Sequence, residues 1–220
     1  DFEKAKKSRM QTAADSRIDY AFHVTLAGSP GFSELERFHK EDPQNIDLAI
    51  ELGIAYHDAG LEGDKDSVTK AIRILEDVLK RRDLGLARAY LGSSFLLRAR
   101  DDWNPFGKLL NLNQGIDHLD RAVEGNPDDI LIRVIRANAY ANIPAFFGKL
   151  DVAISDFEII VQVLAEEGLS IEIQLNARLK LVQLYMRNGM NDKAATHYEW
   201  LKENAPDSQA TIMAGEELER

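Results

Sequence analysis

The sequence predicts an all-α protein built from paired helices, and two observations carry that prediction. A short pattern recurs four times along the 220 residues, with a small or compact residue three places before an aromatic ring. On a helix this spacing puts both side chains on one face, so the ring can lie beside a close helix contact. Each copy is followed by a segment whose apolar residues recur at helical spacing, and no alternating run indicates a strand. Helix pairs that repeat in this way are typical of a solenoid.

The repeated pattern defines the first helix of each pair. Its four copies are Gly53 with Tyr56, Gly92 with Phe95, Ala137 with Tyr140, and Val182 with Tyr185. The apolar stripes of the second helices run over residues 71–79, 115–123, 153–161 and 194–201. Such stripes mark amphipathic helices of about three turns, which cover their apolar face by packing on a neighbour.

The last unit resembles the tetratricopeptide repeat family most closely. Its matching residues are Tyr185, Gly189, Ala194, Tyr198, Leu201 and Pro206. The resemblance implies a right-handed superhelical solenoid, an α-α superhelix of about four to five repeats, as a single domain over residues 1–220. We expect a divergent repeat at 13–45, with helices near 16–26 and 32–39, further repeats at 46–83, 85–127, 129–169 and 172–207, and a C-terminal helix at 208–220. The repeats at 85–127 and 129–169 carry insertions between their two helices.

Charge and composition exclude several classes of partner. The net charge is −10 and the pI is near 5.0, so the surface repels phosphate backbones and anionic lipid. We therefore expect neither nucleic acid nor direct membrane insertion. The chain has no cysteine, which excludes disulfides and thiolate-bound metal. The chain begins at Asp1 without an initiator Met, which indicates that a segment upstream was removed. We expect a cytoplasmic location, with an exported form left open.

Motifs for catalysis do not stand out. No His-Glu-x-x-His string, phosphate-binding loop or nucleophile elbow occurs in the sequence. Glu62, Asp64 and Asp66 resemble a calcium loop only superficially, because the glycine register and the terminal glutamate are missing. We interpret them as a solvated turn. The sequence therefore predicts neither an enzyme nor a bound metal or cofactor.

The family resemblance also implies an inner wall formed by the first helices, which in such proteins holds a peptide or a partner helix. The wall residues expected here are Ile50, Ile54, His57, Leu96, Leu97, Leu131, Val134, Asn138, Leu179, Gln183 and Met186. Most are apolar, which disfavours capture of a peptide carboxylate. One interpretation is a groove for an apolar or amphipathic segment of another protein. The alternative is a self-associating assembly subunit, whose wall is covered by residues 1–15, by the helix at 208–218, or by a second copy.

Two related strings lie in the insertions. They are Trp103-Asn104-Pro105-Phe106-Gly107-Lys108-Leu109 and Ile143-Pro144-Ala145-Phe146-Phe147-Gly148-Lys149-Leu150, and they look similar to strings in uncharacterised bacterial repeat proteins. We expect the proline to end or turn the first helix, and the glycine to allow a turn with positive φ. Stacking should place the two strings side by side at one edge. This aromatic edge either binds a partner, with Lys108 and Lys149 at its rim, or caps the helix pairs as a lateral mini-core. The second interpretation is favoured, because a duplicated motif more easily reflects a shared structural solution.

Overall fold

The computed structural model describes residues 32–219, and the regular structure in that part is helical throughout. Its α-helices are α1 Phe32–Glu41, α2 Ile46–Leu61, α3 Lys65–Arg81, α4 Gly85–Asp101, α5 Pro105–Gly125, α6 Ile130–Ala141, α7 Leu150–Glu166, α8 Ile171–Arg187, α9 Asn191–Asn204 and α10 Gln209–Leu218, with a 3₁₀ turn at Ala145–Phe147. The predicted helix near 16–26 lies outside the described residues. The described helices belong to two compact units, which divide between Arg136 and Ala137 within α6.

The helices of each unit pack in the order expected of stacked pairs. In the first unit each helix from α1 to α5 packs on the next, and α2 also contacts α4. In the second unit each helix from α7 to α10 packs on the next, and α8 also contacts α10. The contacts that skip one helix join the first helix of one pair to the helix that follows the pair. This is the way in which repeat units bury each other's apolar faces.

Short polar residues begin several of these helices. The side chain of Asn45 accepts a hydrogen bond from the backbone N–H of Leu48 at the start of α2, and Ser170 caps α8 in the same way. At the start of α3, Asp64 accepts hydrogen bonds from the backbone N–H groups of Asp66 and Ser67. The hydrogen bond from the Ser67 hydroxyl lowers the pKa of Asp64. Asp64 therefore serves as a helix cap, which accounts for part of the acidic turn.

A close helix crossing in the first unit joins α4 to α5 through two glycines. A Cβ placed on Gly92 would lie 2.8 Å from the carbonyl oxygen of Gly115, and a Cβ on Gly115 would lie 2.8 Å from that of Gly92. Each glycine therefore lies against the backbone of the other helix, and neither has room for a side chain. Gly53 plays a related part in α2, because a Cβ there would lie 2.8 Å from the side chain of Leu75 in α3. Two of the four small positions of the sequence pattern, Gly53 and Gly92, are therefore sites of close helix contact.

The tyrosine of the first copy of the pattern, Tyr56, is held by an acidic and a basic residue. In the first unit the Tyr56 hydroxyl donates to Glu36 of α1 at 2.5 Å, and the Lys70 ammonium of α3 lies 5.0 Å from the ring centre. Burial, followed by the bond to the carboxylate, raises the pKa of the tyrosine. One ring thus ties together three consecutive helices.

The second unit repeats this arrangement. The Tyr185 hydroxyl of α8 donates to Glu158 of α7 at 2.6 Å, and Lys193 of α9 lies 5.3 Å from the ring centre and 2.9 Å from the Glu158 carboxylate. The bond from Tyr185 lowers the pKa of Glu158. His197 of α9 stacks on the same ring, with the ring centroids 5.7 Å apart.

One expectation about the insertions is wrong. The first string does not form a loop between the helices of its pair, because α5 begins at Pro105 and its first two turns are made of the inserted residues. Asn104 caps this helix, with its side chain accepting from the Phe106 N–H, and Pro105 occupies the first turn, where its missing N–H does no harm. Pro105 therefore starts a helix instead of ending one. The insertion lengthens the second helix to 21 residues.

We expect Gly92→Ala to destabilise the chain by about 1–3 kcal/mol, because the added methyl group overpacks a contact between two backbones. Gly125→Ala is the matched control, since a Cβ at Gly125 meets no atom within 4 Å. Urea unfolding followed by circular dichroism measures both changes. Equal stability of the two variants would show that the helices do not cross at Gly92.

We expect part of the stability to depend on the neutral state of His197. Burial, followed by the Arg178 guanidinium, lowers the pKa of His197 to about 4, whereas an unfolded histidine titrates near 6.5. Between these values the unfolded chain binds a proton that the folded chain does not, so the free energy of unfolding falls as the pH decreases from about 6.5 to about 4.

Replacing the ring by a residue that does not titrate tests this dependence. Denaturant unfolding of the wild type and of His197→Phe, repeated across that pH range, should show a shallower pH dependence in the variant. Parallel curves for the two proteins would mean that the pKa of His197 is the same in the folded and unfolded states.

Candidate protein-interaction site

Among the described residues of the first unit, the most exposed large apolar side chains lie together where α5 begins. Trp103 is 92% exposed and Phe106 is 86% exposed, while Leu109 and Leu110 are 48% and 61% exposed. Phe106, Leu109 and Leu110 fall on one face of α5 by helical spacing, and Trp103 immediately precedes the helix. We call these four residues the aromatic ridge. Leu109 and Leu110 were not among the predicted edge residues, although their spacings of three and four residues from Phe106 are visible in the sequence.

The solvent-facing side of α5 changes character along its length. The ridge occupies the first two turns, whereas the exposed residues of the same face farther along are polar: Asn113, Asp117, Arg121 and Glu124. The buried side of the helix carries Leu112, Leu119, Ala122 and Val123, which form its contact with the core. Apolar exposure is therefore confined to the part of α5 made by the insertion.

A hydrogen-bonded network holds the base of the ridge against α4. The Arg98 Nε donates to the side-chain oxygen of Asn111 at 2.9 Å, and the Asn111 amide donates to Asp102 at 3.3 Å. The second oxygen of Asp102 accepts from the backbone N–H of Asn104 at 2.9 Å. Asn111 is buried, so these bonds fix the connection between the two helices where water does not compete. The ridge consequently projects from a fixed base.

Gly107 contributes to this base in a way that differs from the expectation. It lies within α5 and does not adopt positive φ, so the prediction of a glycine turn at this string is wrong. A Cβ on Gly107 would instead collide with the Asp102 carboxylate. The glycine is thus needed for the close approach of Asp102, which the network then holds.

The related string lies in the second unit and is folded differently. Phe146 and Phe147 belong to a 3₁₀ turn with their ring centroids 4.3 Å apart, and Gly148 ends that turn with φ of 68°. Here the expected positive φ is confirmed. Phe146 is 82% exposed, whereas Phe147 is half-buried and Lys149 lies 4.9 Å from the ring centre of Tyr140.

Exposure of these rings argues against the lateral mini-core as their common role. Trp103, Phe106 and Phe146 each retain more than four-fifths of their surface, so none of them is packed into a core. Lys108 is exposed beside the first string, as expected for a rim residue, and its positive charge acts on Asp101.

The predicted inner-wall residues are mostly covered. In the first unit Ile50, His57, Leu97 and Val134 are buried, while Ile54, Leu96 and Leu131 are half-buried. In the second unit Leu179 is buried, while Asn138, Gln183 and Met186 are half-buried. The residues with accessible apolar surface on the first unit's wall are therefore few. Binding of a partner by this wall stays a prediction.

One polar network on that wall has the bonding order of a hydrolase relay. The Nδ1 of His57 lies 2.9 Å from Asp58, and its Nε2 lies 2.8 Å from the hydroxyl of Ser93. Ser93, however, lies in the middle of α4, where the backbone N–H groups already bond carbonyls one turn earlier and cannot stabilise an oxyanion. His57 and Ser93 are also buried, and Tyr90 packs edge-on against the imidazole ring. The network joins α2 to α4.

Metal and membrane sites receive no support from the part of the chain that the structure describes. Over residues 32–219 no cluster of three or more His, Asp or Glu side chains is arranged to hold a metal ion. Over the same residues, no helix combines the length and the apolar character that crossing a bilayer requires.

We expect Asn111→Ala to loosen the ridge, because it leaves both Arg98 and Asp102 without their bond to the Asn111 side chain. Losing these buried bonds should cost about 1–3 kcal/mol of stability. Fluorescence anisotropy of Trp103, isolated by Trp200→Phe, should fall relative to the same background with Asn111 intact. Unchanged anisotropy and stability would show that the network does not fix the ridge.

Comparison with known proteins gives information about the fold of the chain alone. No protein-family model matches the sequence, and no curated protein matches it. Among solved structures, a thermophilic tetratricopeptide repeat protein of Thermus thermophilus is similar, with a TM-score of 0.64 and 22% sequence identity. The match covers 86% of this chain and 89% of that protein. The predicted all-α class is confirmed, and the chain has a tetratricopeptide-repeat-like fold.

Proposed function

We propose that the chain is a non-enzymatic protein-interaction module that contacts a protein partner through the aromatic ridge. The observation that carries this proposal is the near-complete exposure of Trp103 and Phe106 on a helix whose base is fixed by buried hydrogen bonds. Fold alone does not assign a function, so the proposal is built on this surface. The tetratricopeptide-repeat-like fold is compatible with it, since stacked helix pairs commonly serve as binding scaffolds.

Burial of the ridge would provide the free energy for binding. Tryptophan and phenylalanine each bury about 150–250 Å² on contact, and exposed apolar patches of about 300–600 Å² on monomers are often functional. Aromatic anchors surrounded by polar residues are typical of interface hot spots. Here Asn113 and Gln114 border the apolar turns along α5, and both are exposed. Binding would cost little conformational entropy on the side of this chain, because the ridge is already held in place.

A bilayer surface is a poorer match for the same ridge. The chain carries a net charge of −10, and anionic lipid headgroups repel such a surface. The positive charges beside the ridge are few. Arg100 is paired with Asp101 at 2.8 Å, which leaves Lys108 as the exposed cation within α5's first turn.

The inner wall is the second candidate site. Ile54 and Leu96 keep part of their surface accessible, and a short apolar segment of a partner peptide or helix could contact them. Leu97 and Val134 are unsuitable for testing this proposal, because both are buried and a charged substitution there would destabilise the fold.

Site-specific photo-crosslinking tests the two sites together. A photoreactive phenylalanine analogue at Phe106 should form protein adducts in the source cells, whereas the same analogue at Glu124 should not. Glu124 is the matched control because it lies on the same face of α5, 18 residues and about 27 Å away. Adducts at Ile54 instead of Phe106 would transfer the proposal to the inner wall. Equal labelling at Phe106 and Glu124 would refute binding by the ridge.

A further inference from the structure

We infer that the partner of the aromatic ridge is a second copy of this chain, so that two ridges pack against each other across a two-fold axis. This inference rests on the proposed function, because it names the occupant of the same surface. Three properties of the ridge favour a second copy: its shape, its area and its charge.

The shape of the ridge suits helix-to-helix packing. Phe106, Leu109 and Leu110 form a stripe along the first two turns of α5, and Trp103 extends that stripe beyond the helix start. Apolar residues at spacings of three and four are the pattern by which two helices interdigitate. A two-fold axis brings the same patch of both copies together, so each stripe meets a stripe of matching length.

The area of the ridge is sufficient for a weak dimer but not for a permanent one. With rings of about 150–250 Å² each, the two exposed aromatics and the two half-exposed leucines present about 500 Å² of apolar surface. Two copies would therefore bury about 1,000 Å², which is where specific interfaces begin. Interfaces of this size are the transient class, so association should depend on concentration.

Repulsion between two copies of this acidic chain should be weakest near the ridge, because the acidic residues there are paired. Two surfaces with a net charge of −10 repel each other, and contact is favoured where acidic residues are compensated. Asp101 is paired with Arg100, and Asp102 is linked through the Asn111 side chain to the guanidinium of Arg98. The next exposed acid along this face of α5 is Asp117, which is itself paired with Arg121 at 3.1 Å.

Sedimentation velocity across the micromolar range tests the inference on the purified chain. The wild type should shift from monomer to dimer, and Trp103→Ala and Phe106→Ala should each weaken association about tenfold or more, as expected for hot-spot residues. Glu124→Ala is the matched control on the same helix face and should leave association unchanged. Because the ridge residues are exposed, their truncation should not unfold the chain, and circular dichroism verifies this. A wild type that stays monomeric throughout would overturn the inference.

Adduct masses from photo-crosslinking at Phe106 separate the failure of this inference from the failure of the proposed function. An adduct with twice the mass of the chain, both in the purified protein and in the source cells, supports both. An adduct with a different protein, together with a monomeric wild type, overturns the second copy and keeps the ridge as a binding surface. No protein adduct above the Glu124 control overturns both.

Discussion

The contact between α4 and α5 is the constraint on which the rest of the first unit depends. Gly92 and Gly115 bring two backbones together where no Cβ fits, and this fixes how close the helices can lie. Helices that approach so closely bury the apolar residues on either side of the crossing, among them Phe95 and Leu119. Because the crossing lies near the middle of α5, the end of the helix made by the insertion extends beyond it. The ridge is that extension.

Each unit combines such apolar packing with a polar connection made by a tyrosine. The ring is buried among helices, while its hydroxyl reaches a glutamate of the helix before and its face meets a lysine of the helix after. Burial of the ring alone would allow several relative positions of the neighbouring helices. The hydroxyl must reach one particular carboxylate, and this requirement selects one of these positions. The arrangement recurs at Tyr56 and at Tyr185, 129 positions apart in the numbering of one chain, which indicates a structural role shared by repeats.

Sequence reasoning found what is local and periodic. The small residue and the ring of each pattern lie within one turn, and the second-helix stripes follow the helical period, so both could be predicted without knowing the neighbours. The start of α5 was missed, because Asn-Pro looks alike whether it closes a loop or caps a helix. The spacing of Phe106, Leu109 and Leu110, which is that of one helix face, carried the missing signal. Contacts such as that between His57 and Ser93, 36 positions apart, depend on the stacking and have no local pattern.

The exposure of Trp103 and Phe106 could not be predicted from the sequence either, because it depends on what packs against the first turns of α5. A duplicated aromatic string favours a shared structural role, and the two strings nonetheless fold into a helix start and a 3₁₀ turn. The difference follows from what comes before each phenylalanine. Asn104 and Pro105 begin a helix, whereas Pro144 leads into a turn that Gly148 ends with positive φ.

Native-state hydrogen exchange tests most directly whether the first two turns of α5 are a rigid part of the folded unit. The amides of residues 109–112 should exchange as slowly as those of residues 115–123, because both would require α5 to separate from α4. Rapid exchange at residues 109–112 with protection retained at residues 115–123 would show a frayed helix end, and the ridge would then not be a fixed surface.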